Sequence, residues 1–358
     1  MTPMSAREGV LAALNRRTPD RVPFEISYGA FTPGLMRTFR ARTGSDQDPA
    51  EYFNFDVRPV RYRPVPAEGL AAYHADLPPG TELDEWGVAR APGDFQHLTR
   101  QIHPLQNVQS AAEIVRYPFP DYTQPAACAH LPAETAALHA RGLAVLGELW
   151  ITIFETAWAM RGMTELLTDF VLNPGLAAAL LDRITEIRRW QARTLAAADI
   201  DVLCLGDDIA TQRGMLVSPA LWRDWLKPRL ASIIAAARAV KPDLIIFYHS
   251  DGDCRAVIPD LIEIGVTVLN PVQPECMDPV ALKKAYGDRL AFWGTVGTQT
   301  TMPFGTPDTI RQVVRERVRT VGAGGGLLLA PTHILQPDVP WENVLAFVDA
   351  VREDGVYT

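Results

Sequence analysis

The sequence predicts an α/β protein built around a barrel of parallel strands. After residue 135, short apolar runs alternate with longer segments of helical period, which is typical of parallel strands joined by crossover helices. The runs are almost continuously apolar, as expected for strands that are covered on both faces. The predicted strands are residues 143–149, 201–205, 244–248, 266–269, 290–293 and 326–330.

The N-terminal third supplies the remaining elements. Residues 5–16 predict an amphipathic helix, residues 21–27 a first strand, and one more strand is expected before residue 135, which brings the count to eight. Residues 31–135 are rich in proline and aromatic residues and predict helices and a long excursion over the barrel mouth, with a hairpin around 84–88. Three helices are predicted to begin where a capping residue precedes proline, at Pro174, Pro219 and Pro307. Because no linker-like stretch interrupts the chain, we predict one domain over residues 1–358, a (β/α)8 TIM barrel with an elaborated N-terminal region.

Composition excludes several classes of function. The 358 residues carry a net charge of −8, so nothing indicates binding to nucleic acid or to an anionic membrane surface. No apolar run approaches the roughly 20 residues that span a bilayer, and the N-terminus does not read as a secretory signal. The four cysteines form no C-x-x-C pair. We therefore predict a cytoplasmic protein with reduced thiols.

Polar side chains accumulate where the predicted strands end. In parallel barrels the active site is built from the carboxyl ends of the strands, and a structural protein has no reason to concentrate acids, imidazoles and amides there. The candidate residues at these ends are Glu148, Asp207, Asp208, Tyr248, His249, Asp251, Asn270, Gln273, Cys276, Thr332 and His333. The sequence thus indicates an enzyme.

Several of these residues allow two interpretations. His249 and His333 either hydrogen-bond neighbouring loops or act as metal ligands or acid–base groups. Adjacent side chains on a strand point to opposite faces, so at most one of Asp207 and Asp208 enters the barrel, and we favour Asp208. Cys276 is either a soft zinc ligand or a small residue packed under its loop.

The chain resembles the uroporphyrinogen decarboxylase superfamily along nearly its whole length. The resemblance rests on residues 12–23 (AALNRRTPDRVP), 154–163 (FETAWAMRGM), 278–279 (DP) with 287–294 (GDRLAFWG), and 330–343 (APTHILQPDVPWEN). It implies a (β/α)8 barrel. The superfamily also holds zinc-dependent methyltransferases that act with corrinoid proteins.

Two departures decide which branch the chain is closer to. True decarboxylases carry an N-terminal MRQAGR segment whose arginines hold the porphyrinogen carboxylates, whereas residues 24–33 here read FEISYGAFTP, and Arg37, Arg40 and Arg42 come too late. The methyltransferase branch binds zinc with a His-x-Cys motif and a distant cysteine. Here the resemblance aligns His249-Ser250-Asp251 with that motif and His333 with the distant cysteine. It implies a zinc set of His249, Asp251 and His333, with Cys276 as a further ligand.

We therefore expect a metal-assisted methyltransferase with zinc as cofactor and a methyl group carried by a corrinoid or similar one-carbon carrier on a partner protein. The sequence leaves no room for a cobalamin domain of its own, and the resemblance implies a homodimer. The residues expected to act on the substrate are Asp207, Asp208, Gln212 and Glu148, and those expected to bind it are Asn270, Gln273, Tyr248 and Thr332. The alternatives are a metal-free decarboxylase or other lyase acting on a carboxylated small molecule, and a non-catalytic binding protein that kept the barrel.

Overall fold

A computed structural model describes residues 3–26, 28, 31–66, 68–92 and 100–357 of the chain. The α-helices are α1 (Ala6–Leu14), α2 (Pro33–Thr43), α3 (Pro49–Tyr52), α4 (Ala111–Arg116), α5 (Pro125–Cys128), α6 (Leu131–Ala140), α7 (Phe154–Arg161), α8 (Met163–Leu172), α9 (Pro174–Ala197), α10 (Pro219–Trp225), α11 (Lys227–Arg238), α12 (Ile258–Glu263), α13 (Pro279–Tyr286), α14 (Thr301–Phe304), α15 (Pro307–Thr320) and α16 (Trp341–Asp354). Short 3₁₀ helices lie at Leu70–Tyr73 and Arg255–Val257.

The strands fall into three sheets. They are β1 (Val57–Val60), β2 (Glu82–Leu83), β3 (Ala89–Ala91), β4 (Arg100–Ile102), β5 (Ala144–Leu149), β6 (Val202–Gly206), β7 (Ala210–Thr211), β8 (Gly214–Met215), β9 (Ile245–His249), β10 (Val268–Asn270), β11 (Ala291–Val296) and β12 (Leu327–Pro331). Within the described residues, the large sheet has seven parallel strands in the order β1-β5-β6-β9-β10-β11-β12. This curled sheet confirms the α/β class and all six strands predicted after residue 135, and β1 is the strand expected before it.

The predicted first strand is present in a different form. Residues 21–26 lie between the two edges of the large sheet: Phe24 bridges to Leu329 of β12, and the Phe24 carbonyl accepts the N–H of Asp56 just before β1. A regular ladder does not form, because Pro23 has no N–H to donate and the Phe24 N–H donates to the Asp56 carboxylate at 2.9 Å instead of to a backbone carbonyl. Residues 21–26 therefore lie between β12 and β1 but do not form a regular β-strand.

Two apolar cores stabilise the barrel. The inner core is formed by inward-facing strand residues such as Leu146, Val202, Phe247 and Trp293, and α1 packs against it with Val10 and Leu14. The larger outer core lies between the sheet and the surrounding helices. Side chains alternate between the two faces of a strand. His249 comes two residues after the inward-facing Phe247 of β9 and therefore also faces inward.

The N-terminal excursion and the predicted helix starts are also seen. β2, β3 and β4 form a small antiparallel sheet, and β2 and β3 are the hairpin expected around residues 84–88. Ser218 and Thr306 accept backbone N–H groups at the starts of α10 and α15. Asn173 precedes α9 without capping it, because its side-chain amide donates to Asp169. No helix in these described ranges is long and apolar enough to cross a membrane.

Candidate active site

Two acids and a histidine meet at the carboxyl ends of β6 and β9. Within the described residues, one ligand atom each from Asp208, His249 and Asp251 lies within 4.8 Å of the others. His249 Nε2 is 3.5 Å from Asp208 Oδ1 and 3.8 Å from Asp251 Oδ1. His333 Nε2, from the loop after β12, is 3.9 Å from Asp251 Oδ2. We call these four residues the His–Asp cluster.

Asn270 fixes the tautomer of the central histidine. The Asn270 amide nitrogen donates to the Trp293 carbonyl at 2.9 Å, which leaves its Oδ1 facing His249 Nδ1 at 2.6 Å. Because Oδ1 can only accept, Nδ1 carries a hydrogen, and Nε2 of the neutral ring presents its lone pair. Nε2 therefore faces the Asp208 and Asp251 carboxylates. Three electron-rich atoms in a largely buried site repel one another unless a cation lies among them.

The aromatic surroundings of His249 limit its contact with water. Its side chain is only 11% exposed. The Trp150 ring lies edge-on to it with the centroids 5.5 Å apart, and Tyr28 packs against Trp150 while its hydroxyl donates to Asn270 Oδ1 at 3.2 Å. Burial raises the pKa of the Asp251 carboxyl, and the facing histidines oppose that shift. The imidazole of His249 is therefore shielded from water, whereas the Asp208, Asp251 and His333 side chains are 40%, 35% and 45% exposed.

Asp207 and Asp208 have the opposite orientations that strand geometry requires. The Asp207 carboxylate accepts the backbone N–H groups of Ile153 and Glu155 at 3.0 Å, where α7 begins. Burial raises its pKa to about 6, and these hydrogen bonds oppose the shift. The structure thus places Asp207 at the start of α7, where it holds the helix, while Asp208 lies in the cluster.

Glu155 is a functional candidate that the strand-end pattern missed. One of its carboxyl oxygens, Oε2, accepts the Asp208 N–H at 2.9 Å. Burial, followed by the charges of Asp208 and Asp207, raises its pKa to about 8, so at neutral pH it is mostly protonated. Glu155 lies inside the 154–163 segment that marked the family resemblance, which was the only available signal, since the residue follows no strand directly.

Gln273, Cys276 and Thr332, which were also predicted, make contacts with one another or with neighbouring loops. Gln273 Oε1 receives the Gly252 N–H at 3.4 Å, and the Cys276 thiol donates to the same oxygen at 3.4 Å. The structure therefore brings Cys276 to Gln273 rather than into the cluster, and burial raises the thiol pKa to about 11. Thr332 is buried and contacts Thr298 through its hydroxyl at 3.1 Å.

Three predicted residues lie outside the cluster. Tyr248 belongs to the outer core between sheet and helices, because it alternates with the inward-facing His249. Gln212, in the turn between β7 and β8, donates to Gln299 at 2.7 Å on the exposed rim of the barrel. Glu148 is held by Arg61, whose Nε is 3.1 Å from Glu148 Oε2.

The cluster lies between two cavities. The aromatic cavity, of about 360 Å³, is lined among others by Trp86, Trp150, Trp158 and Glu155. The polar cavity, of about 200 Å³, is lined by Asp251 and His333 of the cluster and by Gln273, Thr298, Gln299 and Thr332 among others. The polar cavity thus includes cluster residues in its lining, whereas the aromatic cavity adjoins the cluster through Glu155 and Trp150.

Comparison with known proteins identifies the family. The sequence profile of "Uroporphyrinogen decarboxylase (URO-D)" matches residues 145–354. The chain is 36% identical over 202 residues to the uroporphyrinogen decarboxylase of Psychromonas ingrahamii, covering 54% of this chain and 52% of that protein. It is 24% identical over 192 residues to the enzyme of Coxiella burnetii, covering 51% of this chain and 49% of that protein. The chain belongs to the uroporphyrinogen decarboxylase family, and it spans about half the length of these curated relatives.

A solved structure with the same fold covers nearly the whole chain. A methyltransferase from Methanosarcina mazei superposes with a TM-score of 0.69 at 18% identity, over 98% of this chain and 99% of that one. At that identity the likeness shows the fold, which is the TIM-barrel-like fold that the sequence predicts. The family membership and this fold are those of an enzyme.

Proposed function

We propose that the protein is a metal-assisted methyltransferase within this superfamily, with zinc held by the His–Asp cluster. The observation that carries the proposal is the lone pair of His249 Nε2, which faces the carboxylates of Asp208 and Asp251 at 3.5 and 3.8 Å. The fold shared with the Methanosarcina mazei methyltransferase supports it. The methyl group would be exchanged with a corrinoid or similar one-carbon carrier on a partner protein.

The donor set fits a zinc ion. Ligand atoms around tetrahedral zinc lie about 3.3 Å apart, because Zn–N and Zn–O bonds measure about 2.0–2.1 Å. His249 Nε2 lies 3.5 and 3.8 Å from the two carboxylates, close to that spacing, and His333 Nε2 lies 3.9 Å from the second oxygen of Asp251. Neutral imidazole nitrogens and ionised carboxylates are suitable ligands, and the His249–Asn270 hydrogen bond is the outer contact that metal-binding histidines usually make. His249, Asp251 and His333 would hold the ion with Asp208 beside it, which would leave one position of a tetrahedral zinc for a group whose pKa the ion lowers.

The residues around the cluster prepare the site for transfer. Asn270 holds His249 Nε2 toward the acids. Trp150 and Tyr28 keep water from the imidazole. Since Oε2 of Glu155 accepts the Asp208 N–H, the proton of the neutral carboxyl group lies on Oε1. Glu155 can therefore donate to a leaving atom in the aromatic cavity, which it lines.

The test is the metal content of the purified protein and of the variants His249→Ala and His333→Ala. We expect about one zinc per chain in the wild type and loss of zinc in both variants. His139→Ala is the matched control, since His139 bonds to Asp201 before β6, away from the strand ends that carry the cluster. A folded, metal-free wild type whose activity and stability do not respond to added zinc would overturn the proposal.

A metal-free lyase is the second candidate. It is favoured by the protonated Glu155, by the site's capacity to hold an imidazolium at His249 between two acids, and by the decarboxylase names of the matched relatives. This enzyme would decarboxylate or otherwise cleave a small carboxylated substrate. Its activity would survive chelation of metals and would show a bell-shaped dependence on pH.

A further inference from the structure

The aromatic cavity has the size and position of a small-molecule site. Its volume of about 360 Å³ is near the lower end of the range of about 300–1,000 Å³ that such sites span. It lies beside the end of β5, under the small sheet of β2, β3 and β4, and α7 and α9 contribute to its walls. None of the four residues of the His–Asp cluster lines this cavity, so its lining is informative about a ligand other than the metal.

Aromatic side chains form much of that lining. Trp86 and Tyr122 are nearly fully buried, and Tyr62, Trp150 and Trp158 complete a set of five rings from separate segments of the chain. Aromatic faces attract flat apolar ligands and stack with rings. Five rings around one small cavity therefore favour an aromatic ligand over an aliphatic chain.

Four charged side chains of the lining form two ion pairs. Glu148 is paired with Arg61 at 3.1 Å, and Asp84 with Arg90 at 3.6 Å. The Arg188 guanidinium lies 4.9 Å from the centre of the Trp86 ring and donates to backbone carbonyls. The cation-binding face of Trp86 is thus occupied by the protein itself. The lining holds three arginines (Arg61, Arg90 and Arg188) and, besides Glu155, three acids (Asp84, Glu85 and Glu148), so its charges balance. This balance favours a neutral ligand over a cation or an anion.

One acceptor in the wall lacks a partner. Gln101 of β4 lines the cavity, and its Oε1 is buried without a hydrogen bond in the part of the chain that the structure describes. An unsatisfied buried acceptor is costly, and a ligand hydroxyl or N–H would satisfy it. The ligand that fits is therefore a neutral aromatic molecule with a hydrogen-bond donor.

Two residues that line the aromatic cavity contact the His–Asp cluster. Glu155 lines the cavity and accepts the Asp208 N–H at 2.9 Å, and Trp150 lines it while its ring faces His249. We propose that the aromatic cavity binds a small uncharged phenol-like molecule as a substrate of the neighbouring cluster. That the bound molecule is a substrate rests on the proposed function, whereas its binding in the aromatic cavity does not.

The experiment measures binding to protein freed of metal by a chelator, using calorimetry and quenching of tryptophan fluorescence. The probes are 2-methoxyphenol, methoxybenzene, which lacks the donor, choline as a cation and benzoate as an anion. We expect saturable binding of 2-methoxyphenol at one site, about three- to tenfold tighter than methoxybenzene, and no saturable binding of choline or benzoate. Absence of saturable 2-methoxyphenol binding, or tighter binding of either ion, overturns the inference.

Two variants locate the binding. Trp158→Leu should weaken 2-methoxyphenol about three- to tenfold through the lost ring contact, whereas Trp225→Leu, outside the cavity against Phe170, should not. Gln101→Leu should remove the preference over methoxybenzene. An unchanged affinity in Trp158→Leu would place the ligand elsewhere and overturn the inference. Phenol binding without zinc or methyl transfer refutes only the proposed function, and zinc-dependent methyl transfer without phenol binding refutes only this inference.

Discussion

Replacing Asn270 by alanine is expected to weaken zinc binding about ten- to a hundredfold. The Asn270 amide bonds His249 Nδ1 at 2.6 Å and the Trp293 carbonyl at 2.9 Å, and the residue is fully buried. Loss of such an outer partner typically costs ten- to a hundredfold in metal affinity, or about 1.4–2.7 kcal/mol. The variant also orphans at least two buried polar groups at about 1–3 kcal/mol each, so its free energy of unfolding should fall by roughly 2–6 kcal/mol.

Asn343→Ala separates the loss of metal affinity from the loss of stability. Asn343 on α16 is equally buried and donates to the Met302 and Gly305 carbonyls at 2.8 Å. It should lose comparable stability and keep wild-type zinc affinity. Affinity is measured by competition with a chromophoric chelator and stability by urea unfolding. If Asn270→Ala binds zinc as the wild type does while losing stability like Asn343→Ala, Asn270 does not orient a metal ligand and the role proposed for it is refuted.

Three other predictions concern the surroundings of the cluster. The raised pKa of Cys276, about 11, predicts that iodoacetamide alkylates its thiol slowly at pH 7.5 and about tenfold faster per pH unit up to that pKa. Peptide mapping should show that added zinc does not protect the thiol from alkylation. Protection by zinc would mean that the thiol is a metal ligand. Asp201→Ala should destabilise the protein by about 3–5 kcal/mol in urea unfolding, because buried Asp201 receives two Arg7 nitrogens at 2.9–3.0 Å; a loss below 1 kcal/mol would contradict this. Asp251→Cys should raise the ratio of cadmium affinity to zinc affinity at least about tenfold, because it adds a soft sulfur donor. Asp253→Cys, in the same loop, should leave that ratio unchanged. Equal ratios in both variants would show that residue 251 is not a metal ligand.

The sequence could predict the barrel because its physical signal is local. Buried parallel strands have nearly continuous apolar sequences. The polar residues that follow them lie together at the carboxyl-terminal end of the barrel. His249 and Asp251 were found this way, and the structure brings them together with Asp208 and His333. The same alternation decides between Asp207 and Asp208, although the sequence could not show which of the two faces the barrel.

The features that the sequence missed depend on contacts between distant segments. Glu155 reaches Asp208 across 53 positions of chain, and no local pattern encodes that meeting. Residues 21–26 read as a strand, yet Asp56, 32 positions from Phe24, takes the N–H that a ladder needs. Tyr248 was predicted to bind substrate because it lies at a strand end. Its side chain points away from the barrel interior, opposite to His249, and packs in the outer core. Cys276 follows a strand end as Asp251 does, but its thiol is directed to Gln273.

The donor set of the cluster bears on the atom that it activates. Where the resembling methyltransferases have a cysteine, this chain has Asp251, so imidazole nitrogen and carboxylate oxygen are the only donors of the His–Asp cluster. Thiolate donates more charge to a metal than these harder ligands do, so an ion held here would remain a stronger Lewis acid and prefer oxygen over sulfur. The neighbouring aromatic cavity independently favours a phenol-like ligand. We therefore expect an oxygen atom, rather than a thiol sulfur, to exchange the methyl group, and Asp251→Cys should shift that preference toward thiols.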